Sequence, residues 1–465
     1  MDHIPKKQCD RLLLFSLIVS LAGTLLICGP VGAREAKLVL SLERAIELGL
    51  ENDETLLQAE QAIAGAEGQV TQAKSAAFPQ LSLTGQYGRN FLKPAFFLPE
   101  EFREDSDAPA KVEIGEDNDF QGSANLTQVL WAAGRVSAGL DAARAYLRSF
   151  RFQEQAASDY VRFNIKEAYF GVLLASEFVR IAEKALHETE EAVRVARAGF
   201  DEGVVSRFDV MRAEVELANR KTPLVGARNN LDQALILLRR RCGLGPDVEI
   251  VLSDSLKSAH HAGDLETLLA VMHGGSAEIK ALENHVEARK HFLRISKAER
   301  YPMLQLSAFY AIQTQWSKDL LPDEELIAKV AAVQVGMHVP IFDGLNAKGK
   351  IREARANLRL AELELERVQR DKELAVRRAW LSLESAITAL EGRRETVRLA
   401  EEAHRLSVVR LRNGLATPLE RLDAELAMTT ARGQLAEALY TLNMAEAYLE
   451  LAVGSKDYSN ITINQ

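Results

Sequence analysis

Acidic side chains follow two turns of closely similar sequence, one in each half of the chain. Asp209 lies three residues after Ser206, and Glu420 lies three residues after Thr417. This is the spacing of a capping box, in which a hydroxyl and an acid satisfy backbone groups at the start of a helix. Each cap would support its helix by about 1 kcal/mol. Asp423 lies one turn beyond Glu420 on the same helix face, so two carboxylates share that face.

No catalytic or metal-binding motif accompanies these acids in the sequence. It lacks a phosphate-cradling Gly-Lys-Ser/Thr loop, a His-Glu-x-x-His motif and a Cys-x-x-Cys pair. His260 and His261 fall in a linker, where solvation is a simpler interpretation than metal binding. Cys242, near a predicted helix end, is better explained as a small buried residue than as a nucleophile. We therefore predict a protein that is not an enzyme and that has no cofactor or metal.

The composition excludes two broad classes of protein. The 465 residues include 57 Lys and Arg against 66 Asp and Glu, and the formal net charge is -9. With 47% hydrophobic and 26% charged residues, the chain has the composition of a folded protein rather than a disordered one. Nucleic-acid recognition needs clustered Lys and Arg, and no predicted element carries such a stripe. We therefore predict no nucleic-acid partner.

The segment 1–33 has the pattern of a cleaved signal peptide. A basic start precedes the almost wholly apolar segment 12–27, and small residues at 31–33 suit signal peptidase. An uncleaved anchor is the alternative, because about 16 apolar residues are borderline for spanning a bilayer. Lipid attachment at Cys28 is a third possibility, which the bulky residues before it disfavour. Cleavage would leave Cys242 as the sole cysteine, so no intrachain disulfide is expected.

The rest of the chain repeats itself. A constant offset of 211 aligns positions 168–170 with 379–381 and the turn at 203–206 with the turn at 414–417. Each half has the pattern of a helix, two strands, a long helix, a turn and another helix. The predicted domain organisation is a signal peptide at 1–33, a first structural repeat at 34–250, a linker at 251–263, a second repeat at 264–455 and a C-terminal tail at 456–465.

Apolar residues of the predicted helices recur with the 3.5-residue spacing of a coiled coil. Steps of four and three residues alternate from Ala213 to Leu238 and again from Ala424 to Leu449. A soluble helix bundle has similar periodicity. However, a continuous helix from residue 135 to 199 would be roughly 95 Å long, which exceeds a compact domain. We therefore predict long antiparallel coiled-coil helices.

Four segments of about ten residues alternate apolar and polar side chains, as strands with one apolar face do. Two lie in each half, beginning near residues 80 and 120 and near 304 and 333. This length suits a tilted strand that crosses a membrane, although a half-buried soluble sheet gives the same alternation. Four strands cannot close a barrel, for which about eight is the minimum, so a membrane barrel would be shared among protomers. Beyond residue 33 no apolar stretch is as long as the roughly 18 residues that would predict a further spanning helix.

Several motifs resemble those of the TolC-like outer-membrane efflux proteins, and the resemblance covers essentially the whole mature chain. They are Leu40-Ser41-Leu42-Glu43-Arg44-Ala45, Phe78-Pro79-Gln80-Leu81, Tyr301-Pro302, Val339-Pro340-Ile341-Phe342-Asp343-Gly344 and the turn at 200–210. Their order and duplication are more specific than any one of them alone. The segment at 129–134 departs from the family pattern, because it lacks the proline and aspartate that Pro340 and Asp343 supply. The departure leaves the geometry of that turn open.

The resemblance implies a fold that is mainly α with a β-barrel portion. Three protomers with four membrane strands each would form one 12-stranded barrel, continued by an α-helical barrel across the periplasm. The implied location is the Gram-negative outer membrane, in contact with its lipid. The implied function is a passive exit duct of a tripartite efflux or type I secretion system, with a periplasmic adaptor and an inner-membrane pump as partners. A soluble periplasmic coiled-coil structural or adaptor protein is the alternative, although adaptors carry one hairpin rather than a duplicated pattern.

The resemblance also assigns roles to the two turns. The residues that would receive the adaptor hairpins are Gly203, Val204, Val205, Gly414, Leu415 and Ala416. Glu420 and Asp423 match a ring of acids at the closed entrance of the duct. If three-fold symmetry brings these acids together, their negative potential would favour cations.

Asp209 matches a family acid that helps to latch the closed state. Its usual tyrosine and arginine partners are replaced in this chain by Leu411 and Ala416. We therefore expect a different latch, for which Arg410 and Arg412 are candidate partners.

Overall fold

The computed structural model describes residues 38–97, 99, 111–256, 263–317 and 327–454. The predicted signal peptide and C-terminal tail lie outside the described residues, as do Cys28 and the histidine pair at 260–261. The domain boundaries inferred from the repeat stay predictions.

Each half of the chain has the same order of main elements. In the first half they are β1 (Leu38–Leu40), α1 (Leu42–Asn52), α2 (Glu54–Ser75), β2 (Gln80–Arg89), β3 (Ala95–Phe97), β4 (Lys111–Glu113), β5 (Asn118–Trp131), α3 (Arg135–Asp201) and α4 (Arg207–Arg241). In the second they are β6 (Ile250–Leu252), α5 (Leu265–Gly275), α6 (Ala277–Ala298), β7 (Met303–Trp316), β8 (Ile327–His338), α7 (Asn346–Arg412) and α8 (Pro418–Val453). None of the described helices is long and apolar enough to cross a membrane.

Two long helical hairpins dominate the molecule. Helices α3 and α7 each contain 67 residues, which corresponds to about 100 Å. Helix α4 folds back along α3 to give the first hairpin, and α8 folds back along α7 to give the second. The hairpins lie side by side, because α3 also packs against α8. The long antiparallel helices predicted from the heptads are confirmed.

Two apolar cores lie along the hairpins, one in each half of the chain. The first gathers around Ile165, Tyr169 and Leu238, and the second around Leu383 and Leu442. Small side chains fill much of the remaining contact between helices, as the coiled-coil pattern predicts.

A short parallel pairing of β1 with β6 joins the start of the described chain to the segment that links the two halves. Tyr169, which is fully buried, anchors this pairing from α3. Its hydroxyl lies 2.7 Å from the Asp254 carboxylate, which also accepts from the backbone amide of Leu42 at 2.9 Å. This pairing and the β3–β4 hairpin were not predicted from the sequence.

The four predicted strands form one antiparallel sheet in the order β2-β5-β7-β8. They contain 10, 14, 14 and 12 residues, so three are longer than the predicted ten. The register brings Thr84 opposite Ser123 on one face and Leu83 opposite Ala124 on the other, so one face is mostly polar and the other mostly apolar. Leu83 is 80% exposed in the single chain, and Val333 is 74% exposed. The strand alternation is confirmed, and the apolar face is uncovered in the single chain.

The turn from β5 into α3 has the same geometry as the turn from β8 into α7. Ala133 and Gly134 have φ values of 51° and 77°, and Gly344 and Leu345 have 66° and 70°. Each pair is left-handed, so the first turn forms without the proline and aspartate of the family pattern. The turn that the sequence left open thus has two successive residues with positive φ, one of them a non-glycine residue, as its counterpart does.

Candidate functional site

The first turn, residues 203–206, is closed by the backbone of the helix end. Gly203 has a φ of 77°, which glycine adopts without strain. Its amide donates to the Phe200 carbonyl at 2.9 Å, and the Val204 amide donates to the Gly199 carbonyl at 2.8 Å. These two bonds form a Schellman motif. A Cβ atom at Gly199 would lie 2.6 Å from Cγ2 of Val205, so glycine there lets Val205 fold back over the helix.

The second turn, residues 414–417, has the same backbone motif, and a different residue precedes it on the helix. Gly414 has a φ of 71°, and the Leu415 amide donates to the Arg410 carbonyl at 2.8 Å. Arg410 occupies the position that corresponds to Gly199. Its guanidinium donates to the Leu415 carbonyl at 3.1 Å, which adds a side-chain bond across the turn.

Apolar side chains project from both turns. Val204 is 76% exposed and Leu415 is 68% exposed, whereas Val205 and Ala416 are half-buried. Phe208, in the first turn of α4, is 71% exposed. The six residues predicted to receive an adaptor therefore form two equivalent turns at the ends of neighbouring hairpins, where exposed apolar surface is available to a partner.

The predicted helix caps are confirmed. Ser206 Oγ accepts from the Asp209 amide at 3.2 Å, and Thr417 Oγ1 accepts from the Glu420 amide at 3.3 Å. The Ser206 hydroxyl also donates to the Asp209 carboxylate at 2.6 Å. Pro418 occupies the first helical position, where its missing N–H costs no hydrogen bond.

The three predicted acids differ in their surroundings. Glu420 and Asp423 are exposed on the first turns of α8, whereas Asp209 is partly buried beside its own cap. The guanidinium of Arg410 lies 3.8 Å from the Glu420 carboxylate, within the second hairpin. Arg410, one of the two candidate latch partners, thus approaches Glu420, and the structure gives Asp209 its bond to Ser206. The latch role of Asp209 stays a prediction.

Ion pairs across each hairpin hold the register of the turns. Arg197 of α3 pairs with Glu214 of α4 at 2.6 Å, and Arg432 of α8 pairs with Glu401 of α7 at 2.7 Å. Exposed pairs of this kind contribute modestly to stability but favour one alignment of the helices.

A buried acid that no sequence motif singles out lies between the hairpins. Glu425 of α8 is fully buried, with one oxygen 3.3 Å from Thr189 Oγ1 of α3 and the other 3.3 Å from Arg421. Burial raises the pKa of Glu425 above its ordinary value, although Arg421 counteracts the shift. Its counterpart in the first repeat is Glu214, which pairs with Arg197 at the surface. Because the two glutamates align in the repeat, the sequence does not indicate that Glu425 is buried while Glu214 lies at the surface.

The described residues offer neither a reactive cysteine nor a metal-binding cluster. Cys242 is fully buried, and burial raises the pKa of its thiol to about 11. Among the residues that the structure describes, no group of three or more His, Cys, Asp or Glu side chains could hold a metal ion.

Comparison with known proteins identifies the same family over both halves of the chain. The model of the family described as outer membrane efflux protein matches residues 45–244 and 272–455. The outer membrane efflux protein BepC of Brucella suis is 23% identical over 93% of this chain and 89% of its own length. The alkaline protease secretion protein AprF of Pseudomonas aeruginosa is 23% identical over 92% of this chain and 88% of its own. The crystal structure of the outer membrane protein VceC from Vibrio cholerae has a TM-score of 0.72 at 21% identity, covering 89% of this chain and 96% of that one.

Proposed function

This chain belongs to the outer membrane efflux protein family, and we propose that three copies of it form one duct whose periplasmic entrance is built from the two turns. Proteins of this family are trimeric channels rather than enzymes, and they act in tripartite systems with an adaptor and a pump. The protein is thus an outer-membrane exit duct that extends into the periplasm. The soluble adaptor alternative is not favoured, because the family match spans both repeats.

The four-stranded sheet supports the trimer. Among the described strands, β2 and β8 each pair on one side only, so each chain offers two open edges. Three chains would supply 12 strands, and pairing β2 of one copy with β8 of the next would remove every edge. The exposed apolar face would then contact outer-membrane lipid, and the amides and hydroxyls of the other face would line the lumen. We expect the mass of the protein particle in detergent to be that of three chains; the mass of a single chain would refute the shared barrel.

The entrance is proposed at the second turn because Glu420 and Asp423 are exposed, one turn apart on one face of α8. Three copies around an axis would place six carboxylates at the mouth, where they favour cations. In the same arrangement the apolar tips, led by Val204 and Leu415, would receive the hairpins of a periplasmic adaptor. Burial of these exposed apolar side chains would contribute to binding there.

Single-channel recording of the trimer in planar bilayers tests the acid ring. The double variant Glu420→Gln, Asp423→Asn removes six charges per trimer, and Gln at position 420 keeps the capping spacing. We expect the preference for cations over chloride to fall and block by multivalent cations to weaken. Asp201→Asn with Glu202→Gln removes the same charge at the end of α3, beside the first turn, and serves as the matched control. Equal loss of selectivity in both double variants would show a diffuse charge effect and refute the ring.

A further inference from the structure

Glu425 joins the two hairpins close to the turns. It lies near the start of α8, which begins at Pro418, and its contact Thr189 lies near the end of α3, which ends at Asp201. Thr189 and Glu425 are both fully buried. Because α8 belongs to the second hairpin and α3 to the first, the two cannot separate at this level without exposing the Glu425 carboxyl to water.

The hydroxyl of Thr189 compensates an ionised Glu425 only weakly. Thr189 Oγ1 donates to the Ala185 carbonyl at 2.8 Å and to Glu425 Oε1 at 3.3 Å. A threonine hydroxyl has one proton, so the two acceptors share it, and the longer contact with Glu425 is the weaker one. This bond lowers the pKa of Glu425 by less than burial raises it.

The charges around Glu425 compensate its ionised form only in part. Arg421 on α8 approaches with a single nitrogen at 3.3 Å rather than with a bidentate fork. Arg220 on α4 is engaged by Glu216 at 2.9 Å. Glu188 on α3 adds a like charge. Burial therefore outweighs the nearby guanidinium groups, and the pKa of Glu425 is raised.

We propose that Glu425 is a proton-operated link between the two hairpins, which holds α8 against α3 when it is neutral and favours their separation when it is ionised. As regulation of the duct entrance, the link rests on the proposed function of the turns.

The direction of the pH effect follows from linkage. The joined state has the raised pKa, and a separated, hydrated carboxyl has the ordinary one. Acid therefore favours the joined state, and this advantage is complete below the ordinary glutamate value. It is lost as the pH rises from there through the raised value. Within that window the equilibrium between the two states changes by up to about tenfold per pH unit.

Amide hydrogen exchange of the full trimer tests the separation of α3 from α8. The exchange rates are followed in segments 185–199 and 418–432 and are corrected for the intrinsic rate at each pH. In Glu425→Gln at neutral pH we expect exchange to be slower than in the native protein, by about three- to tenfold. Acidification should slow the native protein towards the same rate and leave the variant unchanged. Glu437→Gln, at an exposed glutamate of the same helix α8, is the control and should behave as the native protein does.

Faster or unchanged exchange in Glu425→Gln would overturn the proposal, as would an equal response of both proteins to acid. Thr189→Val provides a second test that keeps the carboxyl buried and removes a hydrogen bond that lowers its pKa, so the slowing by acid should persist or increase; its loss would overturn the proposal. Single-channel opening is recorded in parallel. If exchange responds as expected but opening does not, the link stands and the placement of the entrance at the turns is refuted.

Discussion

Cysteine reactivity provides a sharp test of how the hairpin turns are exposed. We consider the variants Val204→Cys and Leu415→Cys, which replace side chains that are 76% and 68% exposed. Cys242, the sole cysteine predicted for the exported chain, is fully buried and is the internal control. Because the thiolate is the reactive form, the difference in pKa sets the difference in thiolate fraction, and burial adds steric protection to it.

The magnitude follows from the two thiols. An exposed thiol with a pKa of about 8.5 is roughly one quarter ionised at pH 8. Cys242, with its pKa raised to about 11 by burial, is ionised to about 0.1% at that pH. The turn cysteines thus have a thiolate fraction about 200-fold larger, and they should react with a maleimide more than about tenfold faster even before steric protection is counted, because the thiolate of higher pKa is the stronger nucleophile.

Intact-protein mass measured over time gives both rates in the folded trimer. Labelling of Cys242 within tenfold of the turn variants would refute the described burial. The same variants then test docking: in cells that carry a complete tripartite system, labelling at both turns should be slower than in cells without the adaptor. Equal rates in the two strains would contradict adaptor binding at the turns.

Two further predictions concern the packing beside the hairpins. Gly243→Ala should lower the free energy of unfolding by about 2–4 kcal/mol, because φ is 66° and the added methyl would clash with Asn52. A lower temperature of trimer dissociation would show this, and Gly245→Ala, with open space around it, should leave that temperature unchanged. Tyr169→Phe should cost about 1.5–3 kcal/mol, because it removes a buried hydrogen bond to the charged Asp254; unaltered exchange of the β1 amides would contradict this.

The parts of the fold that follow from periodic patterns could be predicted from the sequence. Heptads sustained over many turns predict the hairpins, and period-two alternation predicts the two faces of the sheet. The pairing of β1 with β6 could not be predicted, since three residues on each strand carry too short a pattern. The pairing of β5 with β7, which joins the two repeats, depends on contacts between distant segments rather than on local preference.

The candidate site also has some features that the sequence predicts and others that it does not. The turns and caps are local, so Gly203, Ser206 and their counterparts in the second repeat indicate them directly. The burial of Glu425 depends on Thr189, 236 residues away in the chain. Its sequence neighbours are those of an ordinary helix, and its repeat counterpart Glu214 is at the surface. A sequence pattern reports the face of a helix but not which neighbour covers it.

The equal lengths of α3 and α7 constrain how this protein can diverge. Both have 67 residues, and each boundary of α7 follows that of α3 by the same 211 positions. Removing one heptad from a single helix of a hairpin would keep the apolar heptad positions in phase, but it would shift the turn of that hairpin by about 10 Å relative to its neighbour. A viable shorter or longer descendant must therefore change both helices of both hairpins together. Small insertions and deletions should accumulate in the strand connections, while the helices change by substitution.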